Sequence, residues 1–204
     1  MKPVCGILAG GKGRRMEGID KPLAQLGGRP LIAHVIARVS LQSDAILINA
    51  NGSADRFERF GLPVVADRIE GYKGPLAGIH ALMLASQDLR IDHLLAVPAD
   101  TPFLPSDLFD RLSGASRDRG TVRIARSSGR RHPVVALWPV SLAADLGEYL
   151  AGTSDLSLAS YLRKIRHVDV DFTAEDGPDP FFNINSPDEL DQAEALLGAH
   201  KTGF

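Results

Sequence analysis

The chain has 204 residues, of which 44% are hydrophobic and 24% charged, with a formal net charge of −2. That balance sets aside disorder and a polybasic nucleic-acid binder, and the length suits a single domain (1–204) that buries roughly 70% of the surface its unfolded form exposes. A single cysteine, Cys5, cannot form an internal disulfide and gives no metal-site spacing, and in its apolar segment a buried thiol in a reducing cytoplasm is expected.

In chain order, Val4 to Leu8 reads as a short buried strand that runs into the glycine-rich stretch Ala9 to Gly18. This N-terminal apolar stretch is shorter than a signal-peptide core, and no segment approaches about 18 uninterrupted apolar residues, so neither export by that route nor a membrane span is expected. Leu31 to Val39 has the spacing of a helix, Ala45 to Ile48 that of a strand, Ala54 to Phe60 that of a short helix, and Val64 to Ala66 that of a third strand. Pro75 suits the first turn of a helix over Leu76 to Ser86, because a helix start leaves that N–H unpaired anyway. His93 to Val97 follows as a buried strand. Alternation of this kind calls for an α/β fold with a mostly parallel sheet and helices on both faces. Val122 to Ala125 and Val134 to Trp138 read as a strand pair joined by the polar run Arg126 to His132, a hairpin or a substrate-facing loop, so the sheet is expected to be mixed. Ser186-Pro187-Asp188-Glu189 has a capping-box pattern and opens a helix through about Leu197, after which Lys201 to Phe204 should fray.

Candidate chemistry gathers at strand ends. Glycines in Leu8-Ala9-Gly10-Gly11-Lys12-Gly13-Arg14-Arg15-Met16 let backbone N–H groups approach phosphate oxygens, and Arg14, Arg15 and Lys21 can neutralise a triphosphate. The same loop could be a solvated surface turn, since it is neither a Walker sequence nor a dinucleotide fingerprint. Asp100, in Pro98-Ala99-Asp100-Thr101-Pro102, sits beyond the carboxyl end of a strand, where a carboxylate can hold Mg²⁺ against phosphates; a turn or N-cap aspartate is the alternative. Asn49, Asn51 and Asp67 also end strands, and either line the same crevice or make turns.

Taken together, Leu8-Ala9-Gly10-Gly11 with Arg15-Met16 and Asp20-Lys21 resembles the signature of the molybdenum cofactor guanylyltransferases, a pattern close to LAGGxxxRMGGxDK. Ile48-Asn49-Ala50-Asn51, Val65-Ala66-Asp67, Gly74-Pro75-Leu76-Ala77-Gly78, Pro98 to Pro102, Arg131-His132-Pro133 and Asn183-Ile184-Asn185-Ser186-Pro187 are similar to family segments and keep the family's order over nearly the whole chain. Glu17 stands where the family pattern usually has glycine, and Pro22, just past the pattern, where glycine is common, which implies a stiffer, less positive loop. The resemblance implies a three-layer α/β/α, Rossmann-like nucleotidyltransferase fold, with GTP and molybdopterin as substrates and Mg²⁺ as cofactor. It also allows transient contact with other cofactor-biosynthesis or molybdoenzyme-maturation proteins. In that frame Arg15, Lys21 and Asp100 are the catalytic set and Asp100 the metal ligand. Leu8, Ala9, Gly10, Gly11, Lys21, Asn49, Asp67 and Asp100 bind GTP, Asp67 reading guanine. His132, Asn183 and Asn185 fall on the pterin side, though a polar loop histidine before proline remains a reading of His132. Related cytidylyltransferases or sugar-phosphate nucleotidyltransferases would share the loop and the aspartate, and a non-catalytic nucleotide-binding regulator is the alternative of another class; Gly10-Gly11, where cytidylyl relatives carry Ala-Gly, favours GTP.

Overall fold

The structure is a computed structural model that describes residues 2–10, 20–69, 74–173 and 179–201. Gly11, Arg15 and Glu17 therefore lie outside the described residues, as does nearly all of the expected frayed end. Among the described residues the strands are β1 (Val4–Leu8), β2 (Gln25–Leu26), β3 (Arg29–Pro30), β4 (Ala45–Asn49), β5 (Val64–Val65), β6 (His93–Pro98), β7 (Val122–Ser127), β8 (Arg130–Pro139) and β9 (His167–Asp171). The helices are α1 (Leu31–Val39), α2 (Pro75–Asp88), α3 (Leu108–Gly114), α4 (Ala143–Gly152), α5 (Leu158–Leu162) and α6 (Pro187–Lys201), with 3-10 helices at Lys21–Leu23, Asp55–Phe60 and Val140–Leu142.

Side chains along a strand alternate between faces, and here both faces are apolar. Cys5 and Ile7 of β1, with Leu95 and Val97 of β6, pack on one side against Ile32, Val35 and Val39 of α1 and Leu108 and Leu112 of α3. Val4, Leu94 and Ala96 pack on the other against Leu76, Ile79, Leu82 and Met83 of α2 and Leu146 and Leu150 of α4. A sheet with two apolar faces needs a helical layer on each, which is the three-layer arrangement. α2 is buried nearly all round because α4 covers its outer side.

The seven-stranded sheet has the order β5-β4-β1-β6-β8-β7-β9. β5, β4, β1 and β6 are parallel, β8 is antiparallel to both β6 and β7, and β9 returns parallel to β7. The sheet is thus mixed and mostly parallel. Its expected strand pair is one continuous hairpin: the polar run Arg126 to His132 stays in the ladder and turns at Ser128 (φ 48°) and Gly129 (φ 76°), the left-handed values that a two-residue hairpin turn requires. The small β2–β3 hairpin lies apart and packs against α6 through Ala24, Leu26, Ile184 and Ala193. No helix among the described residues is long and apolar enough to cross a membrane.

At the sheet's far end the nearly fully buried Arg123 donates to the carbonyls of Ser116 and Asp118 at 2.9 and 3.0 Å and approaches His93 Nε2 at 3.2 Å. A guanidinium only donates, so His93 Nε2 must accept and the ring must be neutral. Burial, then the Arg123 and Arg119 charges, hold its pKa below the usual histidine range, and burial does the same at His80 and His132. A depressed folded-state pKa means stability that is complete above the unfolded value near 6.5 and is lost as pH falls through the folded value. The melting temperature should therefore drop between about pH 7 and pH 5.5, and less so in His93→Gln; a flat profile in the parent would contradict the neutral assignment.

Candidate active site

The carboxyl ends of β1, β4, β5 and β6 open on one edge of the sheet, and the sequence-predicted residues that are described stand at or near these ends. Leu8 carries the β1 end, from which the Ala9 N–H donates to the Asn49 carbonyl at 2.9 Å and the Leu8 carbonyl accepts from Ala99 at 3.0 Å. The end of β1 is thereby tied to both neighbouring strand ends.

Asn49, buried at the end of β4, donates through Nδ2 to Asp67 Oδ1 at 2.9 Å and to the Val65 carbonyl at 3.1 Å. Asn51 Nδ2 donates to Asp67 Oδ2 at 2.8 Å, and its own Oδ1 accepts from the Asp67 N–H at 2.9 Å. Both carboxylate oxygens are thus oriented by amides, and each keeps further acceptor capacity. Gly78 makes room for this set, since a Cβ there would lie 2.2 Å from Asn49 Oδ1 and 2.7 Å from Leu8 Cδ2. Glycine in Gly74-Pro75-Leu76-Ala77-Gly78 therefore lets the start of α2 sit on Asn49.

Lys21 reaches across the crevice. Its Nζ forms an ion pair with Asp100 Oδ2 and donates to Asn185 Oδ1 at 2.6 Å and Asn183 Oδ1 at 3.3 Å. Asp100 is largely buried, and burial pushes its carboxyl above the usual range against the pull of Lys21. Its other oxygen, Oδ1, is shielded from solvent with no hydrogen-bond partner. The two asparagines are set by the chain leading into α6: the Ile184 N–H donates to the Asp100 carbonyl at 3.0 Å, and the Asn185 N–H to Glu189 Oε2 at 2.5 Å. Ser186 Oγ accepts from the Glu189 N–H at 3.3 Å, so the expected capping box forms, its glutamate reaching back one residue further than usual.

Beside Asn183 and Asn185 opens a pocket of about 340 Å³, lined also by Thr101, Arg130, Arg131, His132, Asp179 and Phe181. The His132 ring lies 4.8 Å from that of Phe181. Ser127 Oγ is 2.7 Å from both His132 Nε2 and Asp179 Oδ1. A carboxylate only accepts, so the hydroxyl donates to Asp179 and receives the His132 Nε2 proton. With its proton committed to the acid, Ser127 is not activated by the histidine, and this Ser-His-Asp set is a structural relay, not a nucleophile.

A MobA-like NTP transferase domain matches residues 5–170. A molybdenum cofactor guanylyltransferase from Mesorhizobium japonicum is 44% identical over 201 residues, covering 96% of this chain and 97% of that protein. The chain belongs to the molybdenum cofactor guanylyltransferase family. A second such relative, from Acidiphilium cryptum, is 44% identical over 189 residues, 93% of this chain and 92% of that protein. Among solved structures, molybdopterin-guanine dinucleotide biosynthesis protein A from Archaeoglobus fulgidus superposes with a TM-score of 0.73 at 23% identity, over 96% of this chain and 99% of that one. A CMP:2-keto-3-deoxy-manno-octonic acid synthetase in complex with CTP gives 0.74 at 16% identity, over 98% and 100%. At such identities these two likenesses speak to the nucleotidyltransferase fold alone.

In this family member the structure brings Lys21, Asp100, Asn183 and Asn185 into one cluster and Asn49, Asn51 and Asp67 into another, with His132 lining the adjoining pocket. Asp179, Phe181 and Ser127 were not singled out from sequence. The only signal for the first two is their place just ahead of Asn183-Ile184-Asn185.

Proposed function

We propose that the protein transfers GMP from GTP to the terminal phosphate of molybdopterin, forming the guanine dinucleotide cofactor and releasing pyrophosphate. The observation that carries this reading is the Lys21 ammonium, which joins Asp100 to Asn183 and Asn185 at the mouth of the pocket, where a nucleotide side and an acceptor side meet. An oxygen of the acceptor phosphate attacks the α-phosphorus, the bond to the β-phosphate breaks, and pyrophosphate leaves. That oxygen is already anionic near neutral pH, so no general base or protein nucleophile is required, and alignment with charge neutralisation does the work. In this reading Lys21 meets phosphate charge, Arg15 has the same assigned role, and the backbone of Leu8 to Gly11 is assigned to the nucleotide.

The residues present fit Mg²⁺. Asp100 Oδ1 is a buried carboxylate oxygen with no hydrogen-bond partner, and Mg²⁺ takes one or two protein carboxylates and completes its shell with phosphates and water. When bound, the ion would neutralise charge at the α-phosphate. In this reading His132, Asn183 and Asn185 are assigned to the pterin side, the buried free thiol of Cys5 suits a reducing cytoplasm, and the product passes to receiving proteins by transient contact.

Asp67 reads guanine in this scheme. Its two oxygens, oriented by Asn49 and Asn51, keep one acceptor site each for the N1–H and exocyclic amine of the base. Asp67→Ala should weaken GTP binding by about 2 kcal/mol or more, roughly 30-fold in Kd, with little change in melting temperature. Calorimetric titration of both proteins with GTP checks this, and parental affinity in the variant would remove the assignment.

A further inference from the structure

Asp20 stands at the N-cap of the 3-10 turn Lys21–Leu23, yet its side chain makes no cap bond. Pro22 has no N–H to offer, and the Leu23 N–H already goes to the Asp20 backbone carbonyl at 2.8 Å. Among the described residues the carboxylate therefore takes its partner from outside the turn, and a cation beside it in sequence could compete for it. The cation beside it in sequence is Lys21. The partner seen is Arg56, on the 3-10 helix Asp55–Phe60 that follows the Asn49–Asn51 strand end.

Arg56 holds it. Nη1 lies 3.0 Å from Asp20 Oδ1 and 2.9 Å from Oδ2, and the guanidinium rests 4.6 Å above the ring of the fully buried Phe57. The Lys21 ammonium is thereby left to Asp100, Asn185 and Asn183. We infer that Arg56 is a positioning residue for the transfer reaction: by engaging Asp20 it keeps a competing carboxylate off Lys21, so that the ammonium stays at the junction of the two substrates. The inference rests on the GMP-transfer reading and adds a residue to it. Pro22 offers no N–H to the Asp20 carboxylate, which instead takes two hydrogen bonds from Arg56.

Arg56→Met, Asp20→Asn, the double variant and Arg56→Lys would be compared with the parent by pyrophosphate release with GTP, Mg²⁺ and molybdopterin, beside thermal unfolding. Arg56→Met should lower kcat about tenfold while the KM for GTP changes less than about twofold. Asp20→Asn alone should stay within about threefold of the parent, and the double variant should return to that level, because a neutral amide no longer draws Lys21 away. Arg56→Lys, which keeps the cation, should lie near the parent. A role confined to stability would lower the melting temperature and would not be rescued by removing the Asp20 charge. A double variant as slow as Arg56→Met, or an Arg56→Met enzyme at the parental rate, overturns the inference. An inactive parent would instead overturn the transfer reading and this inference with it.

Discussion

Asp100→Asn removes the chemistry and keeps the fold. Pyrophosphate release should fall on the order of a thousandfold or more, about 4 kcal/mol of barrier, while thermal unfolding stays at or slightly above the parental temperature. The two readouts separate for a physical reason. Asparagine preserves size and can still accept from Lys21, but it has no charge with which to hold Mg²⁺. Burial penalises the charged carboxylate, which is why its pKa is pushed up, so a neutral side chain relieves that cost. A turn or N-cap aspartate would behave otherwise, since asparagine serves those positions about equally well and activity would survive. Kinetics and melting curves for both proteins decide between the two.

Lys21→Ala should lower kcat about a hundredfold, about 2.7 kcal/mol of barrier, with GTP affinity falling less than tenfold, because the charge Lys21 meets grows in the transition state. Its stability signature is opposite in sign to that of Asp100→Asn. Removing the ammonium leaves a largely buried carboxylate without its cation and two asparagine oxygens without their donor, so the melting temperature should drop. Steady-state kinetics and unfolding of this variant check both parts, and parental kinetics would reduce Lys21 to a structural cation.

The strand ends could be read from sequence because each rests on a local signal: an apolar run, then the turn residues Gly10, Asn49, Asp67 or Asp100. Long-range placement could not. Lys21 and Asn185 are 164 residues apart, and they meet because α6 packs on the β2–β3 hairpin, a contact between elements that carry no mark of each other. β2 and β3 have two residues each, too short for any periodicity. β9 alternates valines with aspartates at a sheet edge, and α5 spans five residues fixed by its Ser157 cap, so neither shows a pattern long enough to read. In the run Arg126 to His132 polarity concealed a strand, because those residues extend the hairpin to the pocket wall instead of entering the core. Pro22 was legible as a stiffening departure, while its effect on Asp20 depends on Arg56, which sequence spacing does not bring near.

The most direct measurement is product formation from molybdopterin and Mg²⁺ with GTP, CTP or ATP as the sole nucleotide, followed by mass analysis of the dinucleotide. GTP should give the guanine dinucleotide and stoichiometric pyrophosphate, with CTP and ATP slower by on the order of a hundredfold, as expected of a site that hydrogen-bonds the donors of the correct base. Equal or faster turnover with CTP, or no dinucleotide from any of the three, would contradict the account.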